Sequence, residues 1–366
     1  MSNDLHLPSS SKTVAVRVID TTTELTLPID NILWPRVQSH KELFFPSYAF
    51  LIEHGSSGRR LLFDLGLQKN WEDLAPTTVA EIKKDKWQVK VEKDVAGILD
   101  EHGYPREQIE AIIWSHHHWD HVGDPSTFPA STSLIVGPGF KERYLPRGKP
   151  IAGSSIKEQY YQGRSLREIE RHEFTLDLAG FAAFDYFGDG SFYLLDTPGH
   201  TIGHISGLAR TGPDNTFIFL GGDIAHHCGE FRPSALSPLP DSISPSPLEA
   251  TSPRPCPGDW FARVHHACCT DQPFYRMGTY PDGSGVATDL ARAEDSLATL
   301  QRYDAHPASV FVILAHDPAM RGVIDFFPLE ANGWKEKGWA EKTRWAFLAD
   351  FRESVVTHLN GAMKSF

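Results

Sequence analysis

Apolar positions in this chain gather into short runs broken by glycine and proline, and most of the runs read as strands. Thr13–Ile19 is dense in β-branched residues, which favour a pleated, half-buried surface. Tyr48–His54 and Arg59–Gly66 flank the turn Gly55–Gly58 and form a second and third strand. Ile109–Trp114, Leu134–Gly137, Ile205–Ala209, Phe217–Leu220 and Ser309–Ala315 are near-continuous apolar stretches of the kind a strand buried on both faces requires. Phe181–Asp185 and Ser191–Asp196 bracket Gly188-Asp189-Gly190, a hairpin by its turn residues. Two segments carry the other period. Val91–Leu99 spaces its apolar residues three and four apart and predicts a helix ending near Gly103. Thr343–Leu359 places Trp345, Leu348, Phe351, Val355 and Leu359 on one side of a closing helix. Thr22–Pro46 and Lys141–Glu173 show little periodicity and read as loops, the first bordering the site and the second linking elements and bordering the substrate. Leu67–Trp87 is mixed, with some helix and a solvated Lys83–Lys86 charge run.

With 366 residues, 40% of them hydrophobic, the chain can fill one large core, and no shift in composition divides it. A single domain over 1–366 is expected, with 228–285 as a loop-rich insertion that forms a lid on the substrate pocket. A net charge of −12 leaves no basic stripe for phosphate backbones, so no nucleic-acid partner is expected. No window is long and apolar enough to span a membrane. The stretch Met1–Pro8 lacks the apolar run of a signal peptide. The four cysteines (Cys228, Cys256, Cys268, Cys269) lie in one third of the chain and two are adjacent, which suits a reducing compartment. The expectation is a cytoplasmic protein with a small-molecule partner; its oligomeric state is left open, a homodimer among the options.

The candidate chemistry follows the Ile109–Trp114 strand. His116, His117, His118, Asp120 and His121 are packed into six positions, and imidazole plus carboxylate is a donor set for zinc and similar cations. His116 and His118, two apart in an extended segment, point the same way and can share one ion. Asp120 and His121 come as the chain turns into a helix, displaced toward a second.

His116-x-His118-x-Asp120-His121 resembles the HxHxDH signature of the metallo-β-lactamase-fold hydrolases. Asp196–His204, Gly221-Gly222-Asp223 and Ala315-His316-Asp317 are similar to that superfamily's next three motifs, in order. The resemblance implies an α/β (α+β) fold, a four-layer αββα sandwich, around two zinc ions, with other divalent metals open. It implies His116, His118 and His200 on one ion, Asp120, His121 and His316 on the other, and Asp223 bridging both. Asp64 would support the metal centre from outside, and His204 would be buried and hydrogen-bonded rather than a ligand. A hydroxide shared by the ions would attack a carbonyl, with Asp120 carrying the proton to the leaving group.

The pattern looks most like the lactonase and lactamase branch, which opens cyclic esters and cyclic amides of small metabolites. Thioester hydrolysis, polyketide-releasing or of the glyoxalase II kind, is the alternative; a non-catalytic metal-binding module is the third reading, and the complete ligand set argues against it. Lactonases of the superfamily carry a tyrosine three residues after the bridging aspartate. This chain has His226 there, able to donate a hydrogen bond to an oxyanion. The proline- and serine-rich Ser234–Gly258 tract, Trp119 and Phe231 are expected to shape specificity, with Asp271–Tyr275 and Tyr280–Asp282 adding pocket aromatics. His265-His266-Ala267-Cys268-Cys269 is read as an apolar, sulfur-containing wall rather than a further zinc site, since adjacent residues cannot all converge on one ion. His6, His40, His102, His172, His306 and His358 read as surface or packing residues.

Overall fold

The computed structural model describes residues 5–30, 32–37, 39–152, 154–248, 254–279 and 285–363. Two sheets dominate it. One takes, edge to edge, Gln88–Val91, Val14–Pro28, Glu42–His54, Arg60–Phe63, Ile109–Ile113, Ser133–Val136 and Leu166–Glu168. Its pairing is antiparallel up to Arg60–Phe63 and parallel from there to the far edge. The other takes Val310–Ile313, Thr216–Leu220, Ile205–Gly212, Phe192–Asp196, Phe181–Asp185 and Leu176–Leu178, antiparallel except at the Val310–Ile313 edge.

The period of two in a strand explains the layering. Val16, Val18, Phe50, Phe63 and Ile113 of the first sheet meet Phe192, Leu194, Ile218, Leu220 and Phe311 of the second in the core between them. Their chain neighbours turn outward. Ile19, Leu62, Ile112 and Leu134 pack against the helix Val95–Glu101, while Phe217, Phe219, Val310 and Val312 pack against Leu290–Asp304. Each sheet is therefore buried on both faces, and the layers run helix, sheet, sheet, helix, as expected. No described helix is long and apolar enough to cross a membrane.

Several elements depart from the sequence reading. Thr22–Pro46 is largely strand: the first strand continues to Pro28 past an irregularity between Asp20 and Glu24, and its partner starts at Glu42. Thr22 sits at φ 58 in that irregularity, and the bulge hides the alternation that resumes with Leu25 and Leu27. Val91 belongs to an edge strand, and the helix begins only at Val95, where Asp94 caps it by accepting the Gly97 amide at 2.8 Å. The closing helix is three pieces, Trp339–Arg344, a 3-10 stretch Ala346–Phe351 and Arg352–Met363. Trp345, Leu348, Phe351 and Val355 still face the core. Leu290–Asp304 was not anticipated, although Asp289 marks its start as an N-cap.

A buried ion network ties the chain after Asp223 to the end of Leu290–Asp304 and to the C-terminal region. Arg232 donates to Asp304 Oδ1 through Nε at 3.0 Å and Nη2 at 2.6 Å, Arg344 donates to Oδ2 at 2.8 Å, and Arg232 Nη1 donates to the Arg344 carbonyl at 2.9 Å. Removing one charge strands the others in a dry interior. Asp304→Asn is expected to lower stability by about 3–5 kcal/mol in denaturant titration; a loss below about 1 kcal/mol would show that the network is dispensable.

Candidate metal centre

The strand ends of the two sheets converge at one rim. Ile109–Ile113 leads into Ser115–His118, and the short helix Trp119–Val122 carries Asp120 and His121. Phe192–Asp196 leads to His200, Thr216–Leu220 to Asp223, and Val310–Ile313 to His316. Two donor groups result, His116, His118, His200 and Asp223 in one and Asp120, His121 and His316 in the other, with the ligand atoms of each within 4.8 Å of one another. Asp223 joins them. Its Oδ1 lies 3.0 Å from His121 Nε2 and 3.1 Å from His316 Nε2; its Oδ2 lies 3.7 Å from His116 Nε2 and 3.6 Å from His200 Nε2.

Outer partners set the tautomers. Asp64, at the end of Arg60–Phe63 with φ 58, accepts from the Ser115 amide at 2.6 Å and hydroxyl at 2.7 Å, and from His121 Nδ1 at 2.9 Å. His316 Nδ1 donates to the Pro46 carbonyl at 2.7 Å. Both rings so held turn Nε2 inward, where the two nitrogens stand 3.1 Å apart. Two lone pairs and a carboxylate oxygen that has no hydrogen-bond donor of its own face one point, which therefore calls for a positive charge. The donor chemistry fits a divalent cation.

The pKa directions agree. Burial opposes a charge on His121 and His316, but Asp223 outweighs it and holds both above the ordinary histidine value. Burial and neighbouring imidazoles push His116 and His200 well below it, and burial lowers His118, which keeps that group in the neutral, ligating form. His204 is buried and spent on structure: Nδ1 lies 2.9 Å from the Thr197 carbonyl, and Nε2 accepts the Asp223 amide at 3.0 Å.

A cavity of about 750 Å³ opens over the centre, with His118, Asp120, His200, Asp223 and His316 on its wall. Trp87 and Trp119, rings stacked 6.1 Å apart, line it with Phe45, Tyr144, Leu25 and Leu27. Trp119 was singled out from the sequence. Phe45, Trp87 and Tyr144 were not, since they sit in stretches without a periodic signal. Phe231, Phe274 and Tyr275 are buried in the outer core rather than on this wall, Phe274 stacking on Phe351 at 4.5 Å. Of the 228–285 segment, Gly285 alone among the described residues is on the wall; Tyr280-Pro281-Asp282 and residues 249–253 lie outside the described residues. Cys268 is exposed and Cys269 half-buried. His265 Nε2 turns back to the Gln272 and Pro273 carbonyls at 3.1 and 2.9 Å, so the expected sulfur wall is a self-closed loop. His226 does not line the main cavity. Its Nε2 points at Asp223 Oδ2, 3.6 Å away.

His40 is buried, unlike exposed His6, His102, His172 and His358. Its Nδ1 lies 2.8 Å from the Tyr275 hydroxyl, and its ring lies 5.3 Å from that of His227. His227 accepts the Gly229 amide at Nδ1 (2.9 Å), which leaves its proton on Nε2 for Asp350 at 3.0 Å. With both His227 nitrogens committed to hydrogen bonds, His40, His227 and Asp350 tie three distant segments of the chain together.

A family model described as the metallo-beta-lactamase superfamily matches residues 43–241. Gamma-lactamase FDB1 of Fusarium pseudograminearum is 46% identical over 94% of this chain and 84% of its own length. Cytochrome P450 monooxygenase mpaDE of Penicillium roqueforti is 41% identical over 96% of this chain, which spans 39% of that relative's length. A crystal structure of a B. thuringiensis AiiA mutant with N-decanoyl-L-homoserine at its active site is similar in fold, with 18% identity, coverage of 88% of this chain and 100% of that one, and a TM-score of 0.55.

Two outcomes follow from the outer partners. Asp64→Asn, which unfixes the His121 tautomer, is expected to weaken metal retention about 10–100-fold in chelator competition; unchanged retention would remove Asp64 from the account. Burial, then the neighbouring His227, holds the His40 pKa down at about 4, below its unfolded value. The unfolded chain therefore takes up a proton first as pH falls, so this stabilisation is complete above about pH 6.5 and about 3 kcal/mol of it is gone by pH 4. His40→Gln should flatten that part of the unfolding profile; equal acid sensitivity in both proteins would assign the loss elsewhere.

Proposed function

The chain belongs to the metallo-beta-lactamase superfamily, and on that premise we propose that it is a dinuclear zinc hydrolase that opens a cyclic amide or cyclic ester of a small metabolite. The observation that carries the reading is the pair of donor groups sharing Asp223 beneath an aromatic-walled cavity. The 46% identity to a gamma-lactamase over most of its length favours a γ-lactam as the ring.

His116, His118, His200 and Asp223 would hold one ion, and Asp120, His121, His316 and Asp223 the other. When bound, the ions would polarise the scissile carbonyl and lower the pKa of a water to near neutrality. This chain's own residues do the rest. Asp64 and the Pro46 carbonyl hold protons on Nδ1 of His121 and His316, which keeps Nε2 free. Trp87, Trp119 and Phe45 bind the apolar faces of the ring and exclude bulk water from it. Asp120 reaches the wall with Oδ2 3.5 Å from His316 Nε2, and its carboxylate takes the proton that the attacking water gives up and passes it to the ring heteroatom as the bond from that atom to the carbonyl carbon breaks. The four cysteines, all unpaired, suit a cytosolic site of action.

A γ-lactam, a γ-lactone and an acyl thioester offered to the zinc-loaded protein test the proposal. Lactam or lactone turnover, lost on chelation and restored by zinc, is the expected result. His118→Ala should abolish it, and Asp120→Asn should lower kcat about 10²–10⁴-fold. Thioester turnover alone would move the substrate class, and full activity in His118→Ala would falsify the site.

A further inference from the structure

Charge is unevenly placed around the main cavity. Asp30, Glu81 and Asp85 are on its wall, and Arg143 is its one lysine or arginine among the described residues. Arg143 also lines a second cavity of about 780 Å³, where Arg171 and Arg292 join it. The two cavities have Ile151 and Thr288 in common as well, so they adjoin. We propose that the second cavity receives a carboxylate at the end of a substrate side chain, held by Arg143 and Arg292 while the ring lies over the metal centre. The proposal rests on the reading of this protein as a hydrolase of small cyclic amides or esters, and adds that its substrate is an acid.

The second cavity is built against the loop that carries His200. Pro198, Gly199 and Thr201–Gly203, on either side of that histidine, line it. The helix Leu290–Asp304, with Arg292 in its first turn, is fixed to the same loop. The Thr288 amide donates to the His200 carbonyl at 2.8 Å and the Asp289 amide to the Gly199 carbonyl at 2.9 Å. The Ser296 hydroxyl donates to the Pro198 carbonyl at 2.7 Å. Gly199, at φ +130, lets the two backbones approach so closely that a Cβ there would stand 2.2 Å from the Ala293 amide nitrogen. The backbone of Arg292 therefore keeps a set position relative to His200, as a two-point grip on one substrate requires.

The carboxylates beside the three arginines are spent elsewhere. Asp196 Oδ2 accepts from Arg171 at 3.3 Å. Asp289 Oδ1 accepts the Arg292 amide at 3.2 Å and so caps the helix. Glu142 is exposed in the first turn of Phe140–Tyr144. Arg143 lies over the Tyr144 ring at 5.6 Å, and among the described residues neither it nor Arg292 forms an ion pair. Their guanidinium groups keep N–H donors in the fork geometry that matches the two oxygens of a carboxylate. In a chain of net charge −12, the acidic groups of the main cavity repel such an arm and leave the arginine side as its favourable direction.

The test offers zinc-loaded protein, at low salt, γ-lactams whose ring nitrogen bears a side chain ending in a carboxylate or in the uncharged amide of the same length. The acid should be preferred about tenfold in kcat/KM, through KM, and the preference should shrink as salt is added. Arg143→Ala and Arg292→Ala, both at exposed positions, should each narrow it about 2–5-fold; Arg292→Lys, which keeps the charge, should lose less. Calorimetry with 4-phenylbutyrate and 4-phenylbutyramide, which have no scissile bond, reads the same discrimination without ring opening. A carboxylate that simply coordinates the cations does not depend on these arginines. Equal handling of acid and amide by the wild type, or an acid preference that survives in the doubly substituted protein, therefore overturns the proposal even if lactams are opened. Arginine-dependent binding of 4-phenylbutyrate by a protein that opens no ring amide or ester sustains the carboxylate site and contradicts the functional reading.

Discussion

A carboxylate ringed by imidazoles on the wall of the main cavity is the constraint around which the structure is arranged. Asp223 is almost fully buried, and an isolated buried charge costs many kcal/mol unless compensated. Five Nε2 atoms stand within 3.7 Å of it, a donor set that leaves the compensating charge to a bound cation. They stem from strand ends and loops spread across the chain, so the carboxylate is tolerable only when both sheets are assembled. The backbone is fitted to it as well. Gly222 has φ +54, and a Cβ there would sit 2.9 Å from Ser115 Cβ and 3.0 Å from His204 Nε2. A side chain at this position would push apart the histidine that clamps Asp223 and the serine that steadies His116.

That arrangement divides the labour between scaffold and site. Residues turned into the two-sheet core fix where strands end; the first residues past those ends carry the chemistry. Around them stand groups that decide what each ring offers: Asp64 for His121, the Pro46 carbonyl for His316 and Thr197 for His204. Rigid strand ends suit such a centre because a displaced donor loses geometry faster than a loop can restore it. On the cavity wall, apolar and aromatic surface from Leu25, Phe45, Trp87 and Trp119 borders the polar floor.

The sequence disclosed the parts whose signal is local. Ile109–Trp114 and Phe217–Leu220 read as doubly buried strands because they are apolar without interruption, and the clustered histidines declare themselves by density. The four ordered motifs supplied the fold. What stayed hidden depends on contacts between distant segments. The bulge at Thr22 broke the alternation that would have extended the first strand, and Leu166–Glu168 and Leu176–Leu178 are too short to show a period. Trp87 has no neighbour in sequence that marks it as a cavity residue; only stacking on Trp119 does. His40 looked solitary because its partners are His227, Tyr275 and Asp350. His226 could be placed three residues after Asp223, but that its ring faces the carboxylate and not the main cavity is settled by how the chain folds back there, which no local pattern shows.

The most direct test of the central claim is anomalous X-ray diffraction at the zinc edge from crystals of zinc-loaded protein. Two peaks flanking the Asp223 carboxylate are expected, one within bonding distance of His116, His118 and His200 and the other of Asp120, His121 and His316. A single peak on one side of Asp223, or none among these residues, would contradict it.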